Sequence, residues 1–169
     1  MVALSEMEGE KKQIMVAIDE TDASYHALIW VLDNLKETLL DTSLLIFAAV
    51  PEPNYYHYVP ASFGSARLYA TASPAPEVAI SAQEHKKKVM LGLLDKAKSI
   101  CTSHGVESET ILKTGDAKLA ICDAVENLEV SMLILGDEGR GRIQRALAGS
   151  VNDHCLQHAK CSVLVVKGP

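Results

Sequence analysis

The stretch "VESETILK", residues Val106–Lys113, decides how the strands of this chain are ordered. It has the length of a strand and lies between two helix-like segments, but its first half is polar. Central strands of parallel sheets are buried on both faces and consist of nearly continuous apolar residues. A strand that carries Glu107, Glu109 and Thr110 therefore belongs at an edge of the sheet.

Four other short runs are apolar and predict the remaining strands. They alternate with helix-like segments, which predicts a parallel α/β sheet with right-handed crossovers and helices on both faces. The first, second and fourth strands are apolar enough for the centre. This favours the order 3-2-1-4-5 over 2-1-3-4-5, which would place the polar third strand centrally. The four runs are Gln13–Asp19, Ser43–Val50, Ser131–Gly136 and Ser162–Lys167.

Four helices are predicted between these strands. The first is capped by Thr21 or Asp22, with apolar residues at helical spacing behind it. The second runs from Pro76 to about His104, with Gly105 as its C-terminal cap. The third is capped by Asp116 and runs through Leu128, and the last ends at about His158.

The chain of 169 residues is predicted to form a single domain. Residues 1–11 are predicted to be a flexible N-terminus. Residues 51–76 are rich in Pro, Ser, Ala and Tyr and show no periodicity, so we predict a long, mobile insertion there.

The composition restricts the classes of partner. A net charge of -6 argues against nucleic acid or an anionic membrane as the main partner, and no run approaches the ~18 apolar residues of a membrane span. The N-terminus lacks the apolar core of a secretory signal. Four cysteines without CxxC spacing predict reduced thiols and a cytoplasmic location, which leaves entry into the nucleus open.

The predicted strand order reverses between strands 1 and 4. Ligands of such sheets bind at that switch point, beyond the carboxyl ends of the strands. Strand 1 ends at Asp19 and strand 4 ends at Gly136, so both residues are expected at the crevice. The carboxylate of Asp19 can accept hydrogen bonds from ribose hydroxyls.

A glycine-rich segment starts at the same place. Gly136, Gly139 and Gly149 are separated by two and nine residues, and Ser150 follows. Glycine lets backbone N–H groups approach an anion, and a helix that begins at Gly149-Ser150 points its positive end at the crevice. Positive charge is available at Arg140, Arg142 and Arg145. The alternative interpretation is a turn-rich loop with Ser150 as an ordinary helix cap, and the spacing alone does not decide between the two.

Three segments together resemble the universal stress protein family, in particular its small single-domain plant members. They are "VAIDETDASYHAL" (16–28), "LKTGDAKLAIC" (112–122) and "LILGDEGRGRIQRALAGSVNDHCLQHAKCSVLVVK" (133–167). The family's nucleotide-binding pattern, G-x2-G-x9-G-[ST], is met at Gly136, Gly139, Gly149 and Ser150.

The resemblance implies a Rossmann-like fold that binds ATP or AMP, with Mg²⁺ accompanying ATP, and that forms a homodimer through the last strand, Ser162 to Lys167. It implies that Asp19 contacts the ribose, that a backbone group near Ala49 or Val50 meets the adenine, and that the glycine-rich segment surrounds the phosphates. The nucleotide-binding residues expected in this way are Ala17, Ile18, Asp19, Ala49, Val50, Gly136, Gly139, Arg140, Gly149, Ser150 and Val151.

The chain departs from the family pattern at Asp137-Glu138, where the family usually has Ser followed by His or Arg. Each carboxylate near a polyphosphate is repulsive by roughly 1 kcal/mol when exposed. The departure therefore predicts a penalty for ATP that is smaller for AMP, unless the two side chains recruit a divalent cation or face solvent.

Three functions remain open at this stage. The first is a nucleotide-binding stress-response module that acts by ligand-dependent interaction. The second is a slow ATP hydrolase, although no general base is identifiable, and the third is a chaperone-like homodimer with a vestigial site. Two minor alternatives are a metal site at His154 and His158 with Cys155, and a phospho-acceptor site at Asp19-Glu20 with Lys167, which lacks its third acid.

Overall fold

The computed structural model describes residues 12–53, 57–63, 66–72, 76–137 and 151–168. Seven strands and five helices follow one another within these ranges. The strands are β1 (Gln13–Ala17), β2 (Ser43–Val50), β3 (His57–Phe63), β4 (Ala66–Ala72), β5 (Ser108–Thr114), β6 (Val130–Asp137) and β7 (Ser162–Lys167). The helices are α1 (Asp22–Asn34), α2 (Lys36–Leu40), α3 (Pro76–Ser103), α4 (Ala117–Asn127) and α5 (Val151–His158).

Five strands form one parallel sheet in the order β5-β2-β1-β6-β7. The predicted order 3-2-1-4-5 is therefore confirmed. The polar strand β5 lies at the edge, where Thr110 is exposed and pairs with Ile46 of β2. An edge position leaves its polar side chains in water, and the central place goes to β1, whose residues after Gln13 are all buried.

Each face of the sheet is covered by two helices. Alternate residues of β1 and β2 point to α1 and α3 on one face, where Val16 and Ile46 are fully buried with Leu28 and Leu94. The intervening residues point to α4 and α5 on the other face, where Phe47 packs in the same cluster as Val125 and Cys155. The prediction of helices on both faces is confirmed.

The predicted helix ends agree closely with the structure. Asp116 caps α4 by accepting hydrogen bonds from the N–H groups of Lys118 and Leu119. Thr21, rather than Asp22, caps α1, because its side chain accepts from the N–H of Ser24. At the end of α3, Gly105 adopts a φ of +74° and donates to the carbonyl of Thr102, while Val106 donates to that of Cys101. This pair of bonds is the Schellman ending that glycine favours.

Strands β3 and β4 lie within the insertion and form a separate two-stranded antiparallel sheet. The sequence analysis predicted no regular structure there. Pro60 lies inside β3, opposite Tyr69, and proline removes a ladder donor, so a segment that contains it does not read as a strand. That residues 51–76 are mobile stays a prediction, and residues 54–56, 64–65 and 73–75 lie outside the described ranges.

The predictions for the N-terminus and for a single domain over 1–169 also stay predictions. Residues 1–11 and 138–150 lie outside the part of the chain that the structure describes. Among the described residues, none of the helices combines the length and the apolar composition that crossing a bilayer requires.

Candidate functional site

The candidate site is the carboxyl edge of the sheet at β1, β2 and β6. The strand order reverses between the neighbours β1 and β6, since β2 lies on one side of β1 and β6 on the other. The N–H of Ile18 donates to the carbonyl of Phe47 at 2.8 Å, which continues the pairing with β2 beyond the end of β1. Asp19 therefore leaves the sheet at the switch point, where the sequence analysis placed it.

The Asp19 carboxylate is exposed at this edge and is held in place by the next turn of the chain. Its Oδ1 accepts from the backbone N–H of Thr21 at 2.9 Å and also from the Thr21 hydroxyl. Both donors lie on one residue, so the carboxylate is oriented by the turn between β1 and α1. A carboxylate fixed in this way before any ligand arrives loses little conformational entropy on binding.

The buried side chain of Ser24 stabilises that turn through hydrogen bonds. Its Oγ accepts from the Asp19 N–H at 3.1 Å. The same hydroxyl lies 2.9 Å from the Asp19 carbonyl oxygen and 3.0 Å from that of Thr21, and its single proton can be donated to either. The sequence analysis missed this role. The signal was a serine on the inner face of a helix, five residues after the end-of-strand aspartate.

Gly136, the second-last residue of β6, lies directly beside the first turn of α1. A Cβ at position 136 would lie 2.3 Å from the carbonyl oxygen of Ala23 and 2.8 Å from the N of Ser24. The absence of a side chain at Gly136 therefore has a packing cause, which the sequence analysis did not consider. Close approach of α1 and β6 brings the start of that helix to the switch point.

The two flanks of the glycine-rich segment lie together. The side-chain amide of Asn152, in the first turn of α5, donates to the carbonyl of Gly136 at 3.0 Å. The carbonyl of Asp137 accepts from the N–H of Gly168 at 3.2 Å, which joins the end of β6 to the end of β7. Val151 is half-buried at the start of α5. Residues 138–150 lie outside the described residues, among them Glu138, Gly139, Arg140, Arg142, Arg145, Gly149 and Ser150.

The residues expected near the adenine lie on both sides of the sheet edge. Ala17 and Ala49 belong to the apolar cluster on the face of α4 and α5, together with Val151. Ile18 and Val50 point to the opposite face and are buried there. The carbonyl of Val50 accepts from the N–H of Gly115 at 2.9 Å, so the turn after β5 is attached to this strand end.

The proposed metal ligands do not converge. The rings of His154 and His158 are stacked, with centroids 4.2 Å apart and planes 17° from parallel, and Nδ1 of His158 lies 2.9 Å from the carbonyl oxygen of His154. Cys155 points inward and is fully buried. Within the described ranges, no three His, Cys, Asp or Glu side chains are arranged to hold a metal ion.

Comparison with known protein families identifies the family to which this chain belongs. The profile described as the universal stress protein family matches residues 11–167, nearly the whole chain. The chain belongs to the universal stress protein family. Its resemblance in sequence motifs is therefore confirmed at the level of the family.

Two plant relatives show the range of similarity. The chain is 34% identical to a universal stress protein A-like protein of Arabidopsis thaliana over 93 residues, which are 55% of this chain and 53% of the relative. It is 25% identical to the Arabidopsis universal stress protein PHOS34 over an alignment of 170 positions that covers 95% of this chain and 64% of the relative. The chain therefore spans between about half and two thirds of the length of these relatives.

Solved structures of universal stress proteins share the fold. One from Arabidopsis thaliana with AMP bound superimposes with a TM-score of 0.65 at 23% identity, covering 94% of this chain and 92% of that one. A universal stress protein in complex with cAMP gives 0.61 at 18% identity, with coverages of 94% and 98%. UspA from Lactobacillus plantarum gives 0.69 at 18% identity, with coverages of 92% and 97%.

Proposed function

We propose that this universal stress protein binds an adenine nucleotide, ATP or AMP, at the carboxyl edge between β1 and β6. One observation carries the proposal: the oriented carboxylate of Asp19 and the joined flanks of the glycine-rich segment, Gly136 and Asn152, lie at neighbouring strand ends. A switch point of a parallel sheet is where such folds bind nucleotides.

The carboxylate of Asp19 suits a ribose. Ionised carboxylates accept hydrogen bonds only, and the two vicinal hydroxyls of a ribose are donors. Thr21 holds Oδ1 through two hydrogen bonds, so the carboxylate is already oriented at the strand end before a ribose binds. In the proposal Ala17 and Ile18 form the floor beside it, and the backbone near Ala49 and Val50 meets the adenine.

The start of α5 suits a phosphate. Helix N-termini carry unpaired N–H groups and a positive dipole end, and this helix begins at Val151 directly after Gly149-Ser150. The bond from Asn152 to Gly136 keeps that N-terminus at the end of β6. In the proposal Gly139, Gly149, Ser150 and Arg140 complete the phosphate site, and Mg²⁺ accompanies ATP.

The relatives support the class of ligand. Two of the solved universal stress proteins that share the fold are complexes with AMP and with cAMP, both adenine nucleotides.

We propose that nucleotide occupancy controls a homodimeric interaction module that pairs through β7, and that the module acts in the cytoplasm. A slow ATP hydrolase or a chaperone-like protein with a vestigial site are the alternatives that the same experiments test.

The test is isothermal titration of the full chain with AMP and with ATP, with and without Mg²⁺. Wild-type protein is expected to bind with a dissociation constant below ~1 mM, which corresponds to a binding free energy more favourable than about -4 kcal/mol. Gly149→Val places a branched side chain where the phosphate lies, so binding is expected to be lost while the thermal unfolding curve is retained. Wild-type binding weaker than this, or unchanged binding by Gly149→Val, would mean that the segment is only a turn.

Asp19→Ala tests the ribose contact with a matched control. Loss of the carboxylate is expected to weaken AMP binding by ~1–3 kcal/mol, the range for hydrogen bonds to charged groups. The discrimination between AMP and its 2′-deoxy analogue is expected to fall as well. Asp33→Ala makes the same charge change at an exposed position of α1 and should leave both values unaltered.

A further inference from the structure

Three of the four cysteines come together on one face of the sheet, although they are far apart in sequence. Cys122 lies on α4, Cys155 on α5, and Cys161 just before β7. Cys155 is fully buried in the apolar cluster of that face, and the other two, both half-buried, pack against the same cluster. Cys101 lies on α3, in the cluster of the opposite face.

Cys122 and Cys155 form the pair that joins the two helices of this face. The two lie on different helices, pack in the same apolar cluster and are near enough for their thiols to interact, and Cys161 interacts electrostatically with both. All four cysteines are free thiols. Two thiols that share one cluster between packed helices are candidates for the two partners of a disulfide, which forms when their Cα atoms lie within about 7 Å of each other.

We propose that Cys122 and Cys155 are a site of reversible oxidation, at which hydrogen peroxide forms a disulfide that joins α4 to α5. The sulfur of Cys122, the more exposed of the two, attacks one oxygen of the peroxide. The O–O bond breaks, water leaves, and Cys122 becomes a sulfenic acid. The sulfur of Cys155 then attacks that of Cys122, the S–O bond breaks, and the proton of Cys155 leaves with the hydroxyl as a second water. Two thiols lose two electrons and the peroxide gains them.

The difference in burial indicates which of the two thiols reacts with the peroxide first. Burial first, and the neighbouring Cys122 second, raise the pKa of the Cys155 thiol to about 12. Cys155 is therefore protonated at neutral pH and shielded from solvent, so it does not meet the oxidant first. Cys122 is half-buried on α4 and is therefore the more accessible of the two thiols to a small peroxide. Cys155 then acts as the resolving thiol, since contact with the new sulfenic acid compensates for its low thiolate fraction.

The crosslink has a consequence for the chain between the two cysteines. The closed loop from Cys122 to Cys155 contains β6 and all of residues 138–150. A disulfide restricts the unfolded chain and so stabilises the folded state. The oxidised protein is therefore expected to unfold at a higher temperature than the reduced protein, and dithiothreitol is expected to reverse the shift.

The experiment is oxidation of the full chain with hydrogen peroxide, followed by alkylation and peptide mass spectrometry without reduction. The expected product is a monomer that has lost two hydrogens and yields a peptide pair linked between Cys122 and Cys155. Cys122→Ser is expected to lose the link, whereas Cys161→Ser and Cys101→Ser retain it. Cys161→Ser is the control matched in burial, since that thiol is also half-buried on this face, and Cys101→Ser is the control on the other face.

Several results would overturn the proposal. One is wild-type protein that shows no internal link at a peroxide dose that converts free glutathione to its disulfide. Another is a link between Cys122 and Cys161 in place of the expected pair, or sulfinic acid at Cys122 without any disulfide. Because the wild-type mass spectrum alone decides these outcomes, the proposal does not depend on whether each variant folds, and it is independent of nucleotide binding.

Discussion

Gly136 and Ala23 approach each other so closely that position 136 has no room for a side chain. A Cβ on Gly136 would lie 2.3 Å from the Ala23 carbonyl oxygen and 2.5 Å from its carbonyl carbon. Both atoms belong to the backbone of the first turn of α1, so neither can move without moving the helix. The contact ties the end of β6 to the start of α1, and it thereby holds the two sides of the switch point together.

Gly136→Ala is therefore expected to destabilise the fold. Forcing a methyl group against backbone costs ~1–3 kcal/mol in a well-packed site. Urea unfolding followed by circular dichroism gives the free energy of unfolding. Gly92→Ala is the matched control, because Gly92 is exposed within α3 and a Cβ there meets nothing within 4 Å. That change should stabilise by ~0.5–1 kcal/mol, and equal effects at the two glycines would contradict the packing argument.

Ser24→Ala is expected to reduce stability and nucleotide affinity together. The substitution removes the buried acceptor of the Asp19 N–H, and leaving a buried donor unpaired costs ~1–3 kcal/mol. The turn that orients the Asp19 carboxylate also loosens, so AMP titration should show weaker binding. Ser99→Ala is the control: that hydroxyl is exposed on α3 and donates to the carbonyl of Asp95. A Ser24→Ala protein as stable as wild type would show that the Ser24 hydroxyl does not stabilise the turn.

The acidic pair after Gly136 is expected to discriminate between nucleotides. Replacing Asp137→Ser and Glu138→His together restores the usual family pattern and removes two negative charges beside the proposed phosphate site. ATP brings more charge to this place than AMP, so its affinity should rise more, by roughly 1 kcal/mol for each exposed charge pair. Calorimetric titration of both ligands at two salt concentrations measures the difference. An equal gain for AMP and ATP would place the carboxylates away from the phosphates.

The edge strand β7 is expected to mediate self-association. Val163, Leu164 and Val165 are only half-buried there, and β7 is the last strand of the five-stranded sheet. Edges of this kind are usually covered. Val165→Lys should shift a homodimer toward monomer in light scattering at micromolar concentration. Leu40→Lys, at an exposed leucine on α2, should not. A wild-type protein that is already monomeric at this concentration would exclude the pairing.

The local features of this fold were readable from neighbouring residues. Continuous apolar runs marked β2 and β7 at their observed limits, and Asp116 and Gly105 marked helix ends, because capping depends on side chains within a few positions of each other. The polar residues of β5 also determined the strand order. A strand with polar side chains is unfavourable in the centre of a parallel sheet, because both faces are buried there and desolvating those side chains costs free energy.

Contacts between distant segments were decided only by the tertiary structure. The sequence showed that Gly136 lets the backbone approach another group closely. Its contact with Ala23, which lies 113 positions earlier in the chain, depends on how α1 packs against β6. The same holds for the bond from Asn152 to Gly136 and for the packing of Cys122 and Cys155 in one cluster. Local pattern follows from the chain's own short-range sterics and solvation, whereas such pairs exist only after whole helices have docked on the sheet.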